Sequence, residues 1–316
     1  MRFLFLFFDG LGLGPDDPAS NPFAQVEMPY LQQLLGNRRL LLESFNHNTQ
    51  GNRFLESQRA TLLALDASLG VDGLPQSATG QAVLLTGRNI PAKLGYHYGP
   101  KPNPAIAEHL RNGNLFAALQ QLGLRVALLN AYPPSYFEAI ESGRRIYSAI
   151  PMAVTSAGIS LKTAEDLFTG EALSADITGQ GWRDRLGLPN TPLLSPYQAG
   201  QRLVHLAAQY DFSLFEFWLT DYIGHYQDMQ AARGLLTTID QMLAGLLQAW
   251  DDQAGLVLLT SDHGNLENLS TRRHTPNLVP ALVVGAPHLR HAFCASLTDL
   301  TGIAPAIYKL FSGARS

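Results

Sequence analysis

The opening stretch MRFLFLFFDGLGLG constrains this chain more than any other. Six apolar residues, Phe3–Phe8, run into a carboxylate, Asp9, and then into alternating glycine and leucine. A membrane helix needs roughly 20 consecutive apolar residues. A secretory signal needs an apolar region of about 7–15 residues before a small-residue cleavage site. Asp9 interrupts the run before either length is reached. What remains is a strand buried on both faces, as in a parallel sheet, bounded by glycine. Such a strand would carry Asp9 to the sheet edge.

Other apolar segments give the run its context. Helical spacing is read over Met28–Leu35, and a helix over Gly80–Leu85 with Gly87 as its stop. Leu115–Leu122 is amphipathic and leads through Gly123 into a strand, Val126–Leu129. Pro196–Gln209 reads as helix and Phe212–Leu219 as strand. Ala231–Trp250 reads as a long helix with Leu235, Ile239, Met242 and Leu246 on one face, followed by strands at Leu256–Leu259 and Ala281–Val284. Alternation of this kind predicts an α/β fold with a largely parallel sheet. The stretch 131–195, rich in glycine and proline, is expected to be an irregular elaboration or small cap within a single domain spanning 1–316.

Composition narrows the function classes. With 316 residues, 46% of them hydrophobic, the chain can bury a large core without cross-links. Its one cysteine, Cys294, forms no intrachain disulfide and fits a reducing compartment, and with no secretory signal read in the opening stretch a cytoplasmic location is expected. Net charge is −4 with no long basic run, which argues against a nucleic-acid partner.

In open α/β sheets ligands bind beyond the carboxyl ends of the strands. Three acids follow apolar strands here: Asp9, Asp221 and Asp262. His225 lies four residues after Asp221, His263 follows Asp262 directly, and His274 lies on the next loop. Carboxylate oxygen with imidazole nitrogen suits Zn²⁺ or Mn²⁺, and six such ligands divided between two ions leave open positions, as catalytic metals require. The polar turn Gln76-Ser77-Ala78-Thr79-Gly80 precedes an apolar helical stretch. A hydroxyl there would sit at a helix N-terminus, a favourable place for phosphate, or would simply cap the helix.

These residues together resemble the alkaline phosphatase superfamily of two-metal enzymes, and most nearly the branch of the cofactor-independent phosphoglycerate mutases. The resemblance rests on Phe8–Gly12, the Ser77–Gly80 turn running into Leu84–Arg88, Thr220–His225, Ser261–Glu267, and His274–Asn277 with Val279-Pro280. It implies a three-layer α/β/α sandwich with a small cap. It implies one metal held by Asp221, His225 and His274, and a second by Asp9, Asp262, His263 and the nucleophile hydroxyl. That nucleophile is assigned to Ser77, with Thr79 as the rival. Gln81 stands where the mutases carry a histidine. The large inserted domain with which the mutases grip phosphoglycerate has no counterpart in the short interval between Ser77 and Asp221. Cys294 lies outside any Cys/Ser-x-Pro-x-Arg motif, which argues against the sulfatases.

The implied reaction is hydrolysis of a small-molecule phosphate ester through a phosphoseryl intermediate, with two Mn²⁺ or Zn²⁺ ions. A phosphomutase, a phosphodiesterase or phosphonate-ester hydrolase on the same metal core, and a non-catalytic binding protein on a decayed site are the alternatives. Arg88 and Arg273, with Arg59 and Arg272 behind them, are the candidate phosphate contacts. No membrane partner is expected.

Overall fold

The structure, a computed structural model, describes residues 1–45 and 54–313. Among the described residues seven strands form one sheet: β1 (Arg2–Phe8), β2 (Phe54–Glu56), β3 (Ala60–Leu65), β4 (Val126–Leu128), β5 (Phe212–Phe217), β6 (Gly255–Thr260) and β7 (Val279–Val284). Their spatial order is β2-β3-β7-β6-β1-β5-β4. β1 lies between β6 and β5 and is parallel to both, and β4 extends the parallel set beyond β5. β7 is antiparallel to β6 and to β3, and β2 is antiparallel to β3. Thus all strands but β2 and β7 point the same way.

The greasy stretch is the centre of this sheet. Phe3, Phe5 and Phe7 join one hydrophobic cluster, while Leu4, Leu6 and Phe8 join another. The two-residue period of a strand sends alternate side chains to opposite faces, so a strand covered on both faces must be apolar throughout. Helices Ser77–Thr86, Leu115–Gln121 and Ile303–Gly313 cover the first face. Helices Pro196–Ala207 and Met229–Ala249 cover the second. The result is the three-layer α/β/α sandwich that was expected.

Several elements differ from the sequence reading. The strand Ala60–Leu65 and its edge partner Phe54–Glu56 were not anticipated. The first is built largely of alanine and leucine, whose intrinsic preference is helical, and only its place between β2 and β7 makes it extended. On the long helix, Leu236 rather than Leu235 is fully buried, beside Ile239, Met242 and Leu246. The stretch 131–195 is more regular than it reads, with helices Pro134–Glu141, Ala149–Ser156, Ala164–Thr169 and Gln180–Leu186. Ala149–Ser156 buries Ile150, Ala153 and Val154 in the main core, whereas Ala131, Leu167, Ala172 and Trp182 form a small separate cluster. Helices of six to eight residues carry too few turns for a clear apolar period.

Candidate metal centre

Strand register brings the acids together. Phe8 lies opposite Phe217, and Phe7 opposite Thr260, so β1, β5 and β6 end side by side. Asp9 follows β1 directly. Asp262 follows β6 after Ser261, whose hydroxyl accepts from Leu11 N at 2.9 Å and ties the two strand ends. Asp221 does not lie on a loop. It occupies the first turn of a helix, Leu219–Tyr226, that starts just past β5, and His225 stands one turn later on the same face. The Thr220 hydroxyl donates to the Asp9 carbonyl and staples this helix to the end of β1.

Two glycines permit the close approach. Gly10 has φ +66°, and a Cβ there would lie 2.6 Å from Asp221 Oδ1. Gly80 is on the helix Ser77–Thr86, and a Cβ there would lie 2.8 Å from the Asp262 Cβ. Any larger residue at position 80 would push the N-terminus of this helix away from the carboxylates.

The imidazoles all direct Nε2 inward. His225 Nδ1 donates to Arg272 O at 2.8 Å, and His274 Nδ1 donates to Pro75 O at 2.8 Å. His263 Nδ1 faces Gly264 O at 3.4 Å. A carbonyl oxygen can only accept, so each contact keeps a proton on Nδ1 and makes Nε2 the atom that would ligate a metal, the arrangement typical of metal-ligating histidine. The ligand atoms converge. His225 Nε2 is 3.1 Å from Asp221 Oδ2 and 3.3 Å from His274 Nε2, and His274 Nε2 is 3.5 Å from Asp221 Oδ1. His263 Nε2 is 3.3 Å from Asp9 Oδ1 and 3.6 Å from Asp262 Oδ2. Asp9, Asp262 and His263 offer ligand atoms all within 4.8 Å of one another, as do Asp221, His263 and His274. His263 is therefore common to both groups, and its ring stacks on His274 with centroids 3.7 Å apart.

Burial makes this cluster electrostatically incomplete. Asp262 and His263 are fully buried and Asp9 is nearly so. Burial first, and then the charge of Asp262, pushes the Asp9 carboxyl up to about 8. Burial and the charge of Asp221 raise Asp262, although His263 opposes this. Burial alone would depress His263, but Asp262 and Asp9 carry it up to about 10. His274 is lowered to about 4 by burial and by the neighbouring His263. Burial would raise Asp221, yet the His225 hydrogen bond and the His263 charge hold it below the usual carboxylate range. Asp9 Oδ1 is buried without a hydrogen bond. Three converging carboxylates, three Nε2 atoms and an orphaned carboxylate oxygen fit divalent cations, whose charge and coordination would satisfy all of them.

Ser77 and Thr79 are placed differently. Gln76 is the N-cap of the helix, so neither hydroxyl caps it. Ser77 Oγ lies 3.0 Å from His263 Nε2, inside the cluster. The Thr79 hydroxyl donates to Gln76 O and accepts from Tyr98 N, away from the carboxylates. Thr79 N donates to Tyr98 O, and the amides of Ser77 and Ala78 have no partner among the described residues. Gln81 Nε2 reaches Asp9 Oδ2 and Asp262 Oδ2, each at 3.4 Å, where it bridges two like charges.

The arginines lie elsewhere. Arg59 is paired with Asp252 at 2.7 Å. Arg88 follows the C-terminal end of the helix that begins at Ser77, on the order of 15 Å along its axis. Arg272 donates to Gln227 Oε1, and Arg273 is exposed beside Thr271. Instead, a cavity of about 910 Å³ opens onto Asp9, Ser77 and Asp221, and its lining cations are Lys101, Arg145 and Arg185. Glu216, on β5, also lines it, with its carboxyl pushed up to about 8 by burial and by Asp9. A lone acid in the largely apolar, wholly buried run of β5 was the available signal for Glu216. Nothing in the spacing of Lys101 or Arg145 marks either one.

Glu267 organises the loop beneath the cluster. Its buried carboxylate accepts from Gly12 N at 2.9 Å, Asn265 N at 2.8 Å, Asn277 Nδ2 at 3.0 Å and the Thr275 hydroxyl. Asn265 in turn donates to Asp221 Oδ1 at 2.6 Å.

Comparison with known proteins agrees with the resemblance read from the motifs. Residues 192–314 match the model of the Metalloenzyme superfamily. The 2,3-bisphosphoglycerate-independent phosphoglycerate mutase of Thiobacillus denitrificans is 30% identical over 128 residues, covering 38% of this chain and 24% of that protein. The enzyme of the same name from Coxiella burnetii is 31% identical over 145 residues, covering 40% and 27%. The match thus spans about a quarter of the length of these curated relatives. Among solved structures, the PH0037 protein from Pyrococcus horikoshii aligns over 100% of this chain and 97% of its own, with TM-score 0.55 and 15% identity. Alkaline phosphatase from the Antarctic bacterium TAB5 aligns over 98% and 97%, with TM-score 0.51 and 12% identity. These structures share the fold. No described helix is long and apolar enough to cross a membrane.

Proposed function

We propose that this chain, which resembles the alkaline phosphatase superfamily and its phosphoglycerate mutase branch, is a metal-dependent phosphoryl-transfer enzyme that hydrolyses a phosphate ester through Ser77. The observation that carries this reading is the position of Ser77 Oγ, 3.0 Å from His263 Nε2 at the N-terminus of a helix and at the edge of a six-ligand cluster.

Asp221, His225 and His274 would hold one ion, and Asp9, Asp262 and His263, with the Ser77 hydroxyl, the other. Mn²⁺ and Zn²⁺ both suit this donor set. Divalent ions supply a lowered hydroxyl pKa and neutralise charge on phosphoryl oxygens.

The chain's own groups do the rest. The free amides of Ser77 and Ala78, at the positive end of the helix, receive phosphoryl oxygens. Ser77 Oγ loses its proton and attacks phosphorus. An Oγ–P bond forms as the P–O ester bond breaks, and the alcohol leaves with a proton. Water then attacks the phosphoseryl phosphorus, Oγ–P breaks, Ser77 regains its proton and inorganic phosphate departs. Gln81 keeps Asp9 and Asp262 in place between turnovers. The cavity beside Ser77 accommodates the alcohol.

A phosphomutase is the second reading, favoured by the names of the sequence relatives. It would use the same residues but return the phosphoryl group to the substrate. Metal content of the purified protein, measured by mass spectrometry without chelator, tests both readings first. About two Mn or Zn per chain, with release of inorganic phosphate from monoesters, supports the hydrolase. Two metals with isomerised ester and no free phosphate supports the mutase. Near-zero metal that reconstitution cannot restore overturns both and favours a binding protein.

A further inference from the structure

The cavity beside Ser77 has walls of two different kinds. One is made of Glu216, Tyr132 and Tyr136. The two tyrosine rings pack at 4.6 Å; the Tyr132 hydroxyl faces the Glu216 carboxylate, while the Tyr136 hydroxyl is buried without a hydrogen-bond partner. The backbone of Glu216 is pinned from both sides. Its backbone N–H donates to Asn130 Oδ1 at 2.7 Å, and its carbonyl accepts from Asn130 Nδ2 at 2.8 Å, so the side-chain amide of Asn130 fixes this residue of β5. A buried hydroxyl with no partner is costly, and a ligand hydroxyl in the cavity would satisfy that of Tyr136.

The same cavity is lined by Trp218, Tyr222 and Tyr226, which form an exposed aromatic row. Successive residues are four apart, so the N-cap Trp218 and the helical Tyr222 and Tyr226 line one face of the helix Leu219–Tyr226, the first pair edge-to-face at 5.9 Å and the second tilted at 4.8 Å. The same helix carries Asp221 and His225. Three large aromatics exposed in a row beside a cavity that also carries carboxylates and cations suit a ligand with one apolar face.

Cations stand among the acids that line the cavity. Arg145 sits 4.7 Å over the Tyr136 ring, and Lys101 and Arg185 also line the cavity. Asp176 is occupied by Gly179 N and Gly181 N, and Asp184 by Gln180 Nε2. A small substrate such as a three-carbon phosphate would leave most of the 910 Å³ unfilled.

We propose that the phosphorylated alcohol is a sugar, whose hydroxyls pair with Glu216, Tyr132 and Tyr136 and whose apolar ring face lies on the Trp218–Tyr222–Tyr226 row. This rests on the phosphoryl-transfer reading above and names its substrate class. Hydroxyl recognition of this kind is selective, because a ligand lacking the hydroxyl leaves buried polar groups unpaired.

The test compares glucose 6-phosphate, ribose 5-phosphate, a nucleoside monophosphate and glycerol 2-phosphate with the metal-loaded full chain. Binding is followed separately by calorimetry on the Ser77→Ala protein, so that binding and turnover are independent readouts. The expected result is a kcat/KM for the hexose phosphate about a hundredfold above that for glycerol 2-phosphate. Glu216→Gln and Tyr136→Phe, which keep side-chain volume, should each reduce that ratio about tenfold or more, chiefly through KM. Equal efficiency on the hexose and glycerol esters overturns the sugar assignment while leaving the phosphatase reading intact, and so does a preferred nucleotide whose advantage lies in its base, shown by ribose 5-phosphate performing no better than glycerol 2-phosphate. Saturable hexose phosphate binding that both variants weaken, with no turnover of any ester, upholds the sugar site and overturns the phosphatase reading.

Discussion

Ser77 Oγ and His263 Nε2 lie 3.0 Å apart although 186 residues separate them in the chain. The helix beginning at Ser77 covers one face of the sheet, and His263 lies beyond the end of β6. Their meeting therefore reports the docking of that helix onto the sheet edge. It also gives a sharp distinction between two hydroxyls. Ser77→Ala is expected to lower turnover of phosphate esters by at least about a thousandfold while metal content stays close to that of the parent. Thr79→Ala should retain most activity and lose some stability, since its hydroxyl anchors Tyr98. An active Ser77→Ala protein with an inactive Thr79→Ala protein would reverse the assignment.

Metal uptake should release protons. In the metal-free protein Asp9 titrates near 8 and His263 near 10, so both hold protons at neutral pH and must lose them to ligate. Apparent affinity should therefore rise from pH 6 to pH 8. Titration calorimetry in buffers of different ionisation enthalpy should show proton release at pH 7. A binding enthalpy indifferent to buffer would contradict it.

The same groups set how the metal-free protein responds to pH. Asp9 and His263 both have folded pKa values above their ordinary ones, 3.8 and 6.5. The folded state thus binds more protons than the unfolded state between those limits, and stability falls as pH rises. Between pH 6.5 and 8 both groups act in this direction. Chemical denaturation of the chelated protein should show a declining midpoint across that window, and saturating Mn²⁺ or Zn²⁺ should abolish or invert the trend. A rising midpoint without metal would refute the proton inventory.

Ligand substitutions should divide the two metals. His225→Ala removes a side chain that contacts Asp221 and His274 but not Asp9, and is expected to reduce content by about one ion per chain. His263→Ala should affect both, because His263 shares a ligand group with Asp9 and Asp262 and another with Asp221 and His274. Equal losses from the two variants would show that the sites are not separable.

Glu267→Ala should be among the more damaging single changes outside the ligand set. It leaves donors from Gly12, Asn265, Asn277 and Thr275 buried without an acceptor, each costing about 1–3 kcal/mol. A loss above about 3 kcal/mol is expected, read from denaturant midpoints. A loss under about 1 kcal/mol would mean that these donors find other partners.

How much was legible beforehand follows from which interactions are local. The apolar run Phe3–Phe8, ending on Asp9, determined a central strand by itself, because a strand covered on both faces tolerates only apolar residues. The spacing of Asp221 and His225 and the adjacency of Asp262 and His263 were likewise local. What the tertiary structure decided was distance. Only the order β6-β1-β5 makes three strand ends neighbours, and only then do Asp9, Asp221 and Asp262 converge. Glu216, Tyr132 and Tyr136 face one cavity because Asn130 is bonded to β5, a contact across 86 residues with no sequence signature. The chemistry of each ligand was written in its residue type, and the assembly of the site depended on strand pairing between remote segments.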